Sequence, residues 1–133
     1  MTKRELPKEY TELRNEIKND SKCCGVVALA CVAGISGRKA QNALAKQGRK
    51  RHRGTYTHQL LAAVEDCGFT YRELPRLASR YKTVRSLERG ISGSRTLLVF
   101  TASHVLAVKG SQVCDWTTNR LHRINNIYLV EKA

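Results

Sequence analysis

The chain has 133 residues, 41% hydrophobic and 26% charged, with a formal charge of +13. That length suits a single domain with a core of its own, and no apolar run nears the roughly 20 residues that a membrane helix needs. No low-complexity tract or internal repeat is present, which excludes disordered and solenoid classes.

The opening stretch, MTKRELPKEYTELRNEIKND, is charged throughout and carries no signal-peptide core. A cytoplasmic protein without membrane contact is the expectation. Within it, about Glu5 to Lys18, the spacing of Tyr10, Leu13 and Ile17 predicts an amphipathic helix. A polar break follows, and then CGVVALACVAG, apolar on every side and closed by Gly34. A helix wetted nowhere is a central one. Ser36 can cap the next helix, GRKAQNALAKQG, with Ala40, Ala43 and Leu44 inward and Gly48 ending it. After a basic loop, Thr55 or Thr57 can cap a further helix with Leu60, Leu61 and Val64 inward and Gly68 past its end. TVRSLERG has the look of a short helical turn.

The second half changes period. TLLVF (96–100), HVLAV (104–108), QVCDW (112–116) and NIYLV (126–130) are short β-branched and apolar runs separated by turn residues. KGSQ joins the second run to the third as a hairpin. Helices first (about 5–90) and an antiparallel sheet afterwards (about 95–131) make the chain α+β, one domain over 1–133.

Five cysteines, Cys23, Cys24, Cys31, Cys67 and Cys114, are an odd number, and free thiols are expected. There is no Cys-x-x-Cys pair, and no histidine falls at ligand spacing from a cysteine, so neither metal nor cofactor is expected. The positive charge is unevenly spread. From Ser21 to Val64 no carboxylate occurs, while Lys22, Arg38, Lys39, Lys46, Arg49, Lys50, Arg51 and Arg53 all fall there. Such a surface, with Arg49, Lys50, Arg51 and Arg53 at its centre, fits an acidic protein partner or nucleic acid. A solvated loop that keeps the chain soluble explains it equally well, since no aromatic side chains interleave with the charges as a base-stacking platform requires.

Cys24 stands at the first turn of the all-apolar helix. Unpaired backbone N–H groups and the helix dipole favour an anion there, and so favour a thiolate. Gly25 beside it lets a substrate approach closely. Cys31 and Cys67 are most simply small hydrophobes, and Cys23 either another or a solvent-facing bystander. A thiolate nucleophile needs a base, and the base needs an orienting group. His104 opens the second strand. A two-residue turn at Gly110–Ser111 sets Asp115 opposite Leu106, on the His104 face, and a turn at Lys109–Gly110 sets it opposite His104 itself. Asp115 is the sole carboxylate between Glu88 and Glu131, an expensive placement inside an apolar run without a partner. Singly, each is an ordinary hairpin aspartate or a satisfied histidine. Together, cysteine, histidine and aspartate make a candidate nucleophile, base and orienter.

These residues carry a resemblance. CCGVVALACVAGIS resembles the Cys-Gly-x-x-Ala-Leu-Ala helix of papain-like cysteine peptidases, above all the small bacterial and bacteriophage members related to bacteriocin-leader-processing peptidases. GRKRHRGTYTHQLLAAVEDCGF and SHVLAVKGSQVCDW are similar to that family's following segments, and the likeness spans most of residues 19–130. It implies a papain-like fold with Cys24 as nucleophile, His104 as base and Asp115 as orienter, acting on a protein or peptide substrate. A bacteriophage protein that modifies a host factor in the host cytoplasm is the setting it suggests. The chain departs from the pattern in two places. Ser103 replaces the usual glycine before the histidine, and no Gln precedes the nucleophile; Asn19 is the neutral amide at about the right distance to serve as oxyanion donor beside the Cys24 N–H. Peptide hydrolysis, acyl transfer, deamidation and transglutamination would all use the same trio. The alternative is an inactive module that keeps the fold and binds nucleic acid or an acidic protein through its basic surface.

Overall fold

The computed structural model describes residues 6–17 and 19–133. Its first helix, α1 (Lys8–Glu16), is shorter than the spacing predicts: Pro7 fixes its start and Ile17 turns extended at its end. Glu5 and Lys18 lie outside the described residues. The apolar run forms α2 (Cys24–Ala33), with Gly34 as a left-handed cap at φ 66°. Residues Gly25 to Val32 are all buried. A helix so rich in valine draws its stability from packing rather than propensity.

Ser36 Oγ accepts from Lys39 N at 3.1 Å and starts α3 (Gly37–Lys46) as expected. The next helix, α4 (Thr57–Asp66), is capped differently from the expectation: Tyr56 holds the cap position, and Gln59 Oε1 reaches back to its N–H at 3.0 Å. Two further elements have no counterpart in the sequence reading, a strand β1 (Phe69–Glu73) and a helix α5 (Pro75–Arg80). TVRSLERG becomes α6 (Val84–Gly90), with Thr83 Oγ1 accepting from Ser86 N.

The four apolar runs form β2 (Thr96–Thr101), β3 (Val105–Lys109), β4 (Gln112–Cys114) and β5 (Ile124–Lys132). With β1 they make one antiparallel sheet in the order β1-β5-β2-β3-β4. β1 therefore adds a strand from within the stretch that reads as helical. The class is α+β, with six helices and a five-stranded antiparallel sheet among the described residues.

The pleat sorts the strands' side chains onto two faces. Leu98, Ala107 and Val130 pack with α2, α3 and α4. Leu97, Val99, Leu106, Val108, Ile127 and Leu129 pack with Val84, Leu87 and Ile91 on the opposite face. Enclosed by α1, α3, α4 and the sheet, α2 is held in place on all sides, and its N-terminus meets one end of β3 and β4. Among the described residues no helix is long and apolar enough to cross a membrane.

Candidate active site

Cys24 is the first residue of α2, half-buried, and no acidic side chain in the first turn offsets the positive helix end. The His104 imidazole and the Val105 backbone N–H both hydrogen-bond its sulfur. Burial pushes the thiol up, but these bonds and the His104 charge outweigh it, and the net shift is below the ordinary 9.0. Its neighbours go the other way. Burial pushes Cys23 up despite Arg14 Nη1 at 2.9 Å, a hydrogen bond with Cys114 together with burial pushes Cys31 well up, and burial pushes Cys67 up. Of these four thiols, Cys24 alone is tuned towards the anion.

His104 lies one residue before β3, and Asp115 one residue after β4. Neither is bound by the pleat's alternation, so both can lean over the N-terminus of α2 from the same end of the sheet. The hairpin between them turns at Gly110–Ser111, with Lys109 paired to Gln112 and Ala107 to Cys114. Gly110 has φ 65°, the left-handed position that a two-residue turn of this kind demands. His104 Nε2 and Asp115 Oδ2 are 2.7 Å apart, which leaves Nδ1 to face the thiol. Burial works to lower the His104 pKa, but Asp115 and Cys24 prevail and raise it from 6.5 to about 9. Trp116 packs against the imidazole with ring centroids 5.1 Å apart, and His122 meets the indole edge-on.

Asp115 is itself pinned. The Thr117 N–H (3.1 Å) and hydroxyl (2.6 Å) both donate to the Oδ2 that accepts from His104. Thr117 is fully buried, so no water replaces the hydroxyl if it is removed. Thr117→Val is expected to lower the His104 pKa and to slow thiol chemistry at Cys24 several-fold with little loss of secondary structure. An NMR titration of the His104 ring checks this, and an unchanged midpoint would reject a positioning role for Thr117.

Two hollows meet at the reactive atoms. One, of about 500 Å³, is walled by Tyr10, Arg14, Lys22, His104 and Trp116 with Cys24 at its base; the other, of about 210 Å³, lies between Thr55, Phe100 and Ser103 and also touches Cys24 and His104. Both hollows touch Cys24 and His104, which leaves space beside the thiol. Gly25 sits directly under Thr55: a Cβ there would clash with Thr55 Oγ1 and lie 2.6 Å from Thr55 Cβ.

The structure brings Cys24, His104 and Asp115 together, but Asn19 stands apart. It is exposed, takes a left-handed φ of 52°, and its Oδ1 lies 3.2 Å from His52 Nε2. It is not among the residues walling either hollow at Cys24. Asn19 thus holds the loop before α2 rather than the reacting oxygen, because the left-handed turn sends its side chain towards the basic loop.

Arg49 also departs from expectation. It is buried and forms a two-pronged ion pair with Asp20, Nη1–Oδ2 at 2.7 Å and Nη2–Oδ1 at 2.8 Å. Nη2 also donates to the Lys22 carbonyl at 2.7 Å, and the His52 N–H donates to Asp20 Oδ1 at 3.0 Å. Gln41 Nε2 completes the carboxylate's shell at 3.2 Å. Burial would raise the Asp20 pKa, yet the Arg49 and His52 bonds hold it at about 2. Arg49 is therefore structural, tying the basic loop to the residues that lead into Cys24. Lys50, Arg51 and Arg53 are exposed.

Tyr10 and Arg14 border the site without any signal in the sequence, because they arrive from α1 by tertiary packing alone. Thr117 had a signal: a threonine two residues after an aspartate is a local turn pattern. Among the described residues, Glu9, Cys31 and Cys114 gather three possible ligand atoms within 4.8 Å of one another. Cys31 and Cys114 are buried and share a hydrogen bond, while Glu9 is exposed.

Comparison with protein-family models, with curated proteins and with solved structures finds no match to this chain.

Proposed function

We propose that the chain is a papain-like cysteine hydrolase acting on a protein or peptide substrate. The reading rests on one observation: a helix-terminal thiol, an imidazole and a buried carboxylate form a single hydrogen-bonded line. In this reading the Cys24 thiolate attacks the substrate carbonyl carbon, forming a C–S bond, while the carbonyl oxygen takes up negative charge beside the Cys24 backbone N–H. The imidazolium gives its proton to the leaving amine, the C–N bond breaks, and a thioester remains. Water, deprotonated by His104, then attacks the thioester, releasing the acid and restoring the thiolate. An amine in place of water gives acyl transfer. Asp115 keeps Nδ1 turned to the sulfur and stabilises the imidazolium, as the third member of such a triad does.

The test is digestion of a peptide mixture by the wild-type chain and by Cys24→Ala. Cleavage or deamidation at defined sites by the wild type, reduced at least about 1,000-fold in the variant, is expected. Products formed equally by both would reject the reading.

A further inference from the structure

Beyond the two hollows at Cys24 lies a third, of about 580 Å³, whose wall includes Lys22, Arg49, Lys50, Arg53, Gly54 and Tyr56. Lys22 and Gly54 also wall the larger hollow at Cys24, so the two spaces share a border. The border is open at Gly54, where a Cβ would meet nothing within 4 Å.

The charge of this third space is one-sided. Lys22, Lys50 and Arg53 are exposed, and among the described residues none of them is in an ion pair. The sequence supplies no carboxylate between Ser21 and Val64. Asp20, just before that stretch, is used up by Arg49. Arg49 spends both terminal nitrogens on Asp20 and Lys22, and its Nε is buried without a partner. Like charges gathered around an open space, with no counter-charge of their own, gain from an anion that enters it. Tyr56, stacked on His58 and 68% exposed, adds a flat aromatic face to the same wall.

We propose that Lys22, Lys50 and Arg53 form a subsite for an acidic side chain of the peptide substrate, next to the residue that Cys24 attacks. The proposal rests on Cys24 being the nucleophile. It assigns the exposed part of the basic segment a specific task, selection of Asp or Glu near the reacting bond, and it leaves Arg49 as the anchor that shapes the wall.

The test uses two peptide vinyl sulfones identical except for Glu or Gln beside the residue that bears the sulfone. The Cys24 sulfur adds to the vinyl carbon β to the sulfone and the imidazolium proton passes to the carbon α to it, with no leaving group. At low salt the Glu probe is expected to label Cys24 about tenfold faster than the Gln probe. The ratio should collapse towards one in Lys50→Ala/Arg53→Ala and shrink at about 0.5 M salt. It should persist in Arg38→Ala/Lys46→Ala, which removes the same charge elsewhere. Equal rates for the two probes, or an equal fall in both double variants, overturns the subsite. If iodoacetamide still selects Cys24, that result leaves the nucleophile reading standing. If iodoacetamide does not select Cys24, the nucleophile reading fails and the subsite fails with it.

Discussion

Replacing His104 with alanine is expected to slow alkylation of Cys24 by iodoacetamide at pH 7 by tenfold or more. An ordinary thiol is only a few per cent ionised at that pH. Cys24 escapes this limit through the His104 hydrogen bond and charge, which together with the Val105 N–H bond outweigh the upward push of burial. Without the imidazole the burial remains while only the Val105 N–H still opposes it, so the thiolate fraction falls. The lower intrinsic reactivity of an acidic thiolate tempers the difference and keeps it short of a full hundredfold.

The pH dependence has a definite sign. His104 is raised from 6.5 to about 9, so its proton is present throughout the neutral range and is lost as pH rises through about 9. The proposed hydrolysis would need that proton for the leaving group, so such an activity is expected to fall above about pH 9. Alkylation needs only the thiolate and should not fall there. The stability that protonated His104 contributes follows the same window: fully present below 6.5, and lost as pH rises towards and through about 9. Peptide mapping of alkylated protein against pH, in wild type and His104→Ala, reads the reactivity directly. Equal rates at Cys24 in both proteins would contradict the account.

The second large effect concerns stability. Arg49→Ala is expected to cost about 3–5 kcal/mol, because it leaves the Asp20 carboxylate buried without its counter-charge. Both side chains of the pair are essentially unexposed, so solvent does not screen it. Asp20 has its carboxyl held from 3.8 down to about 2, which corresponds to about 2 kcal/mol of stability present above the unfolded value and lost as pH falls towards and through about 2. Urea melts at neutral pH and at pH about 3 test both statements. In contrast, Lys50→Ala or Arg51→Ala should change the midpoint little, since both are exposed. A small loss from Arg49→Ala, comparable to those surface changes, would mean that the pair does not anchor the loop.

The elements that bring Cys24, His104 and Asp115 together were legible because their patterns are local. An apolar run with no wet face announced α2, and the two-residue turn at Gly110–Ser111 fixed the register that aligns His104 with Asp115. Strand alternation alone was not the whole explanation. Leu106 and Val108 point into the core on the α6 side, while His104, one residue outside β3, reaches the α2 side. β1 escaped notice because it is an edge strand with a polar, largely exposed sequence, FTYRE, held by β5 rather than by its own hydrophobicity.

Arg49 shows the limit of reading charge from composition. In the run GRKRHRG it is indistinguishable from its neighbours, yet its carboxylate partner lies well upstream in the chain at Asp20. Asn19 failed as an oxyanion donor for a similar reason. Distance along the chain matched the pattern, but a left-handed turn and the His52 ring took the side chain elsewhere. Tyr10 and Arg14 are contributed by α1 packing, which no spacing within the motif could reveal.

The central claim is that Cys24 carries a thiolate paired with protonated His104. The ultraviolet thiolate absorbance of wild type minus that of Cys24→Ala, followed against pH, measures it most directly. The account predicts a difference signal already present below the ordinary thiol value of 9.0, with a midpoint that rises in His104→Ala. A signal that emerges only above 9.0, with the same midpoint in both backgrounds, would contradict it.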